Sequence, residues 1–227
     1  MELSQPATIR DIGVLVKATS SDSTKASLQT LIDKYQTEVL AKRVSILDLL
    51  TKYALNIKLA LGAFLRMLPP MRVRQYSISS SPLWNAEQAT LTISVIQSPA
   101  LSGNNDFFGV ASNYLSQLQP GDRVQMSVRP SAAAFHPPDD PTIPVVMFCA
   151  GSGLAPMRGF IQERALQKQS GRDVGHMLLF FGCRSPETDY LYGDSDLAEW
   201  LALGFLDVRP AFSVASNASE GCKHVQE

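Results

Sequence analysis

The chain has 227 residues, 20 Lys+Arg against 21 Asp+Glu and 45% hydrophobic content, the composition of an ordinary soluble globular protein of one large or two small domains. Balanced charge argues against a general binder of nucleic acid or acidic membrane surface, which needs a clustered basic excess, and no run approaches the roughly 20 apolar residues that span a bilayer. The start, Met1-Glu2-Leu3-Ser4-Gln5-Pro6, lacks the charged and apolar segments of a secretory signal. Three cysteines, Cys149, Cys183 and Cys222, suggest neither a disulfide framework nor a thiolate zinc site, so a reducing, cytoplasmic setting is expected.

To about Leu68 the sequence reads helical. Leu28, Leu31, Ile32, Tyr35, Val39 and Leu40 recur at helical spacing and predict one helix over about 24–43. A second helix is expected to start at Ser45, whose hydroxyl can cap free amides with Asp48 three residues on. Its apolar positions are Ile46, Leu47, Leu49, Leu50 and Tyr53, and both stripes are read as core-packing faces.

At Pro69-Pro70 the period changes to the two of a strand. Residues 74–79, 90–96 and 123–129 are β-rich runs, the last entered by the turn Pro120-Gly121-Asp122. Between them Gly109-Val110-Ala111-Ser112-Asn113-Tyr114-Leu115 reads as a short helix opening on a glycine. Strands separated by turns imply a small antiparallel barrel or sandwich.

From Pro144 strand and helix alternate. The apolar run 144–150 is expected to be a parallel strand buried on both faces. The turn Gly151-Ser152-Gly153-Leu154-Ala155-Pro156, a helix over about 157–169 and a second strand at 176–181 complete a βαβ unit. At roughly 30 residues per unit there is room for about three strands, against the five or six usual in a doubly wound nucleotide domain.

The glycine turn carries the strongest chemical signal, because glycines let backbone approach a diphosphate while the next helix offers free amides and a positive dipole end. Arg184, rather than an acidic residue, follows the second strand, which leans toward a phosphorylated ribose. Arg74, Tyr76 and Ser77 place a cation, a ring and a hydroxyl on one run, suited to a diphosphate, a planar cofactor face and a ring nitrogen. His136, His176 and His224 show no metal-ligand spacing, so no metal is expected, and Cys183 reads as an inert small hydrophobe.

These residues resemble a known family. Arg74-Gln75-Tyr76-Ser77-Ile78-Ser79-Ser80-Ser81-Pro82 is similar to the RxYSxxSSP flavin strand of the two-flavin reductases, and Gly109 to Leu115 resembles their diphosphate-binding helix start. Gly151-Ser152-Gly153-Leu154-Ala155-Pro156 with Phe160-Ile161-Gln162-Glu163-Arg164 is similar to their GTGxAPxRGFxQER segment. Phe181-Gly182-Cys183-Arg184-Ser185-Pro186 with Asp189-Tyr190-Leu191-Tyr192 is similar to FGCRxxxxDYLY. The stretch 38–50 resembles the connecting segment of reductases fused to haem monooxygenases of the cytochrome P-450 kind.

The resemblance implies an α/β plus all-β, ferredoxin-reductase-like chain: a helical connecting segment over 1–68, an incomplete antiparallel FAD-binding barrel over 69–143 and an incomplete parallel α/β NADP-binding domain over 144–227. It implies NADPH–haemoprotein reductase chemistry, with hydride passing from NADPH to FAD and electrons then passing through an FMN domain to a haem. FMN and haem would belong to the parent protein's other domains, the expected partners, with no nucleic acid among them. Arg74, Gly109, Val110, Ala111 and Ser112 would serve the FAD diphosphate. Tyr76 would cover the flavin ring, and Ser77 would stand by its hydride-accepting N5 as the catalytic residue. Gly151, Ser152, Gly153, Arg184, Ser213, Lys223, His224 and Gln226 would bind NADP.

Where the family has AFSR, Ala211-Phe212-Ser213 is followed by Val214, and His224 precedes Val225-Gln226. Losing that charged hydrogen bond corresponds to about 1.5–3 kcal/mol, roughly ten- to hundredfold in NADPH affinity, which opens the choice between NADPH and NADH. The family also continues beyond the equivalent of Glu227 and has an FMN domain and the first strands of the FAD barrel before this region, so the chain is expected to be the middle of a larger reductase. Other readings are a non-catalytic remnant or incomplete gene product, and an acceptor of the sulfite reductase or nitric oxide synthase type.

Overall fold

The structure is a computed structural model that describes residues 1–131 and 135–227. The chain forms two compact units, one of Met1–Arg74 with Val95–Leu118 and one of Gln75–Ser94 with Gln119–Glu227. Among the described residues no helix is long and apolar enough to cross a membrane.

The first unit is built on helices α1 (Ile9–Lys17), α2 (Asp22–Asp33), α3 (Ile46–Lys52) and α4 (Leu61–Met67). α1 and α3 each open on a reciprocal capping box, Thr8 with Asp11 and Ser45 with Asp48. The Ser45 hydroxyl accepts the Asp48 N–H at 3.1 Å and the Asp48 carboxylate accepts the Ser45 N–H at 2.8 Å, as the sequence predicts. Ile12, Leu15, Leu28, Val39, Ile46 and Leu49 form this unit's core.

The single helix expected over 24–43 is broken. At Lys34 the backbone leaves the helical region, and the chain rewinds as a π-helical turn over Gln36–Leu40 that keeps Val39 buried while Leu40 is exposed. A long-range bond fixes the break, the Tyr35 hydroxyl donating to the Ala7 carbonyl at 2.9 Å. Strands β1 (Gln97–Pro99) and β2 (Asp106–Phe108) pair antiparallel and lead into α5 (Val110–Ser116), the short helix opening on Gly109.

The second unit centres on a parallel sheet of β3 (Val145–Ala150), β4 (Met177–Cys183) and β5 (Leu206–Phe212), in that order. Helix α6 (Leu154–Gln169) links β3 to β4. A short helical turn α7 (Pro186–Asp189) and α8 (Asp196–Ala202) precede β5. α6 starts three residues before the predicted point, because the 3-10 turn Gly151–Gly153 runs straight into it and Pro156 in the first turn has no N–H to leave unpaired.

Leu154, Ile161 and Ala165 of α6 and Leu197 and Trp200 of α8 pack with Met147, Cys149, Leu179 and Phe181. The opposite face corrects the expectation of a strand buried on both sides. Val146 and Phe148 are 57% and 58% exposed, and the Phe148 ring stacks on Phe180 at 4.8 Å.

The strand runs need a second correction. Among the described residues, 74–79 and 90–96 share only the bridge Ile78↔Leu91, and 123–129 pairs with no other segment; no closed barrel forms. Side chains take bonds that a ladder would use: the Thr90 N–H goes to the Ser80 hydroxyl at 2.9 Å and the Ser81 N–H to the Gln162 side-chain carbonyl at 2.8 Å. Alternation gives a strand its faces but does not supply a neighbour.

Candidate functional site

In the second unit the residues expected to bind nucleotide converge. β3 and β4 run parallel, so their C-terminal ends lie side by side, and loops from all three strands meet there. The result is a cleft of about 340 Å³ lined by Gly151, Arg184, Asp189, Ser213, Lys223, His224 and Gln226, among others. Ser152 and Gly153 lie on the adjoining turn into α6.

Two local devices shape this cleft. Asp189 Oδ1 accepts the N–H groups of Arg184 and Ser185 at 2.7 and 3.1 Å and the Thr188 hydroxyl at 3.2 Å, fixing the loop after β4. At the end of β5, Ser213 N–H donates to the Cys183 carbonyl and Val214 N–H to the Arg184 carbonyl, both at 2.9 Å, which sets Ser213 beside the Arg184 loop. Gly151 has a φ of +51°, so a side chain there would be strained. Beneath the loop Tyr190 stacks on Phe181 at 5.6 Å and meets Phe212 edge-on at 5.5 Å; burial pushes its hydroxyl pKa up, so it stays neutral. Burial likewise drives the Cys149 and Cys183 thiols up to about 12, the latter in keeping with an inert residue.

The residues assigned to flavin divide between the units. In the first, Arg74 pairs through Nη1 with the Glu2 carboxylate at 2.5 Å, and its side chain is 32% exposed. Ser112 is buried, its hydroxyl accepting the Ile96 N–H at 3.1 Å and donating to the Gly109 carbonyl at 3.3 Å. A Cβ on Gly109 would stand 2.6 Å from that hydroxyl and 2.9 Å from Ile96 Cβ, so a side chain there would force a neighbour to shift. Val110 and Ala111 begin α5.

In the second unit Tyr76 is half-buried and Ser77 exposed. Just beyond them Ser79, Ser80 and Ser81 are buried on α6. Arg158 Nη1 donates to the Ser79 carbonyl at 2.6 Å, and Gly159 leaves room for the Ser80 backbone, whose oxygen would lie 3.4 Å from a Cβ there.

Sequence reasoning gave no role to Glu2, Arg158 or Asp189. Arg158 and Asp189 stand inside motifs already noted, whereas nothing local marks Glu2. His176 is exposed and pairs with Asp207 at 3.2 Å, and among the described residues no cluster of His, Cys, Asp or Glu is gathered for a metal.

The residues fit both groups. A diphosphate needs a cation with donors available and backbone at close approach, which Arg74 and the Gly109 turn supply; a phosphorylated nucleotide needs the cationic, glycine-edged cleft at the strand ends.

Residues 1–114 match the FAD binding domain and residues 147–204 the oxidoreductase NAD-binding domain. A self-sufficient cytochrome P450 monooxygenase of Phanerodontia chrysosporium is 63% identical over 228 residues, covering 100% of this chain and 22% of that protein. A bifunctional cytochrome P450/NADPH–P450 reductase of Fusarium oxysporum is 51% identical over 229 residues, covering 100% of this chain and 21% of that protein. Its counterpart in Aspergillus oryzae is 47% identical over 240 residues, with 100% and 22% covered. The chain thus spans about a fifth of the length of these relatives.

Proposed function

The chain belongs to the FAD binding domain family, and from that premise we propose that it is the flavin- and nucleotide-binding part of an NADPH-dependent reductase serving a cytochrome P450. The cleft that gathers Gly151, Arg184, Ser213, Lys223, His224 and Gln226 at the ends of three parallel strands carries this reading. When bound, NADPH and FAD supply the hydride and electron chemistry, and the protein's part is to hold and orient them.

Arg184 and Lys223 offer cations, and Ser213 a hydroxyl, to the phosphorylated ribose, while Gly151, Ser152 and Gly153 bring backbone and the start of α6 to the nicotinamide dinucleotide's diphosphate. His224 and Gln226 close the rim. Arg74 takes the flavin diphosphate. Ser112, whose hydroxyl is committed between Ile96 and Gly109, serves it by shaping the Gly109–Val110–Ala111 turn. Tyr76 covers the flavin ring, and the exposed Ser77 hydroxyl donates toward the hydride-accepting nitrogen.

Division into a connecting segment to 68, a flavin segment to 143 and a nucleotide segment beyond belongs to the same reading. So do an FMN domain and a haem monooxygenase domain as partners, with no nucleic acid among them, and a cytoplasmic location; three free cysteines and balanced charge fit both. The relatives' names favour a P450 over other haem or sirohaem acceptors.

The test is anaerobic titration of the purified chain with FAD, then NADPH. Flavin absorbance that stays with the protein on gel filtration and bleaches on NADPH addition is the expected result. Loss of all flavin on the column overturns the reading.

A further inference from the structure

Glu2 is a buried carboxylate that the reductase reading leaves without a task. It is 2% exposed, and its bonds converge on one short stretch of backbone and two side chains. Oε1 accepts the Arg72 N–H at 3.0 Å and pairs with Arg74 Nη1 at 2.5 Å, while Oε2 accepts the Gln5 side-chain N–H at 2.6 Å. Its own N–H donates to the Pro69 carbonyl at 3.0 Å. Removing a carboxylate from water is unfavourable unless such partners replace the lost hydration, so this cluster is a built arrangement.

What it builds is the setting of Arg74. The guanidinium bonds twice through Nη1, to Glu2 and to the Arg72 carbonyl at 2.6 Å. Among the described residues Nε and Nη2 make no such bond, and about a third of the side chain faces solvent. A guanidinium is planar, so anchoring one corner fixes the direction of the remaining edge. That edge, two N–H groups in a rigid fork, matches two oxygens of a phosphate. Without the anchor a long arginine side chain samples many rotamers, and binding must then order it.

We propose that Glu2 is a positioning residue for the flavin diphosphate: it holds Arg74 by Nη1 and so presents the Nε–Nη2 edge to the anion. The proposal rests on the reading of Arg74 as the FAD-diphosphate residue. It predicts more than the presence of a cation, because the benefit of a nearby negative charge to anion binding is the opposite of what simple charge counting gives.

The experiment is equilibrium binding of FAD to the full chain by quenching of flavin fluorescence, for the wild type, Glu2→Gln, Arg74→Ala and the double variant. Glu2→Gln is expected to weaken binding about tenfold and Arg74→Ala at least as much. The double variant should bind no more weakly than Arg74→Ala alone, since Glu2 acts through the arginine. Unchanged or tighter binding by Glu2→Gln, or additive losses in the double variant, overturns the proposal while leaving the flavin reading intact. A wild-type chain with no saturable quenching overturns the flavin reading and this proposal with it. Should Glu2→Gln lose its far-ultraviolet circular dichroism, Gln5→Ala replaces it. That variant frees the carboxylate on one side and keeps its charge, so it must weaken binding in the wild type and have no effect in the Arg74→Ala background.

Discussion

Arg158 donates its Nε–H to Asp196 Oδ2 at 2.7 Å and so joins α6 to α8. The same guanidinium also pairs with Asp196 through Nη2, reaches the Ser79 carbonyl through Nη1 at 2.6 Å, and lies 4.6 Å from the centre of the Tyr192 ring. Tyr192 in turn shares a 2.8 Å hydrogen bond with Thr92. One side chain thus ties the segment that follows Tyr76 and Ser77 to the helices of the nucleotide unit.

Arg158→Ala is expected to destabilise the protein by about 3 kcal/mol, because it leaves a partly buried carboxylate and the Ser79 carbonyl without their donor. Arg158→Lys should recover less than half of that, since an ammonium cannot make the forked contact and stack as well. Urea unfolding measures both. A loss under about 1 kcal/mol for the alanine variant would mean that water replaces the guanidinium at little cost.

Gly109→Ala tests the turn before α5. The glycine has an ordinary φ of −65°, so the expected loss is steric rather than conformational: the new methyl meets Ser112 Oγ and Ile96 Cβ. Overpacking of this kind costs about 1–3 kcal/mol. Thermal melting should show that loss in Gly109→Ala and little in Gly13→Ala, where a Cβ meets nothing within 4 Å.

The contrast between local and distant contacts explains what the sequence made legible. Ser45 with Asp48, the Gly151–Gly153 turn and the placing of Arg184 after β4 are settled within a few residues by capping, φ and strand order, and they stand as expected. Glu2 with Arg72 and Arg158 with Asp196 join residues 70 and 38 positions apart, and periodicity carries no information on such partners. The same limit explains the run 123–129, where alternation was readable but pairing was not. It also explains Val146 and Phe148, whose apolar character predicted burial without specifying what would lie over them.

The thiols give a direct chemical test of burial. Cys149 and Cys183 are buried, and their thiols are pushed up to about 12, first by desolvation, whereas Cys222 is only half-buried. At about pH 8 a disulfide reagent such as dithiobis-nitrobenzoate should therefore modify Cys222 first. The other two should follow only as the protein unfolds in urea, when their thiolate populations rise. Rapid reaction of all three thiols in the native protein would contradict the packing around β3 and β4.

Glu2 gives a pH dependence with a definite sign. Its carboxyl is lowered from the ordinary 4.5 to about 2, first by the Arg72 N–H, next by Gln5 and then by Arg74, against the opposing effect of burial. A group with a depressed native pKa binds protons more readily when unfolded, so it contributes stability above about 4.5 that is lost as pH falls toward 2. Melting temperatures of the wild type and Glu2→Gln should differ at neutral pH and converge across that acidic window. A constant difference would place the titration elsewhere.

Val214 bears on nucleotide choice. Its N–H holds the Arg184 carbonyl at 2.9 Å, and the residue is 73% exposed beside Ser213, so a longer side chain there meets no packed core. A guanidinium at this position would add a charged, forked donor set near Ser213, Arg184 and Lys223, where a ribose phosphate binds in the proposed reading. Val214→Arg should therefore tighten binding of 2′,5′-ADP by roughly ten- to hundredfold and leave binding of 5′-AMP nearly unchanged, because only the former carries the additional dianion. Calorimetric titration with the two nucleotides separates these effects. Equal gains for both would indicate general electrostatic attraction to the cleft rather than recognition of the 2′-phosphate, and Arg184 and Lys223 would then be sufficient for whatever selectivity the chain has.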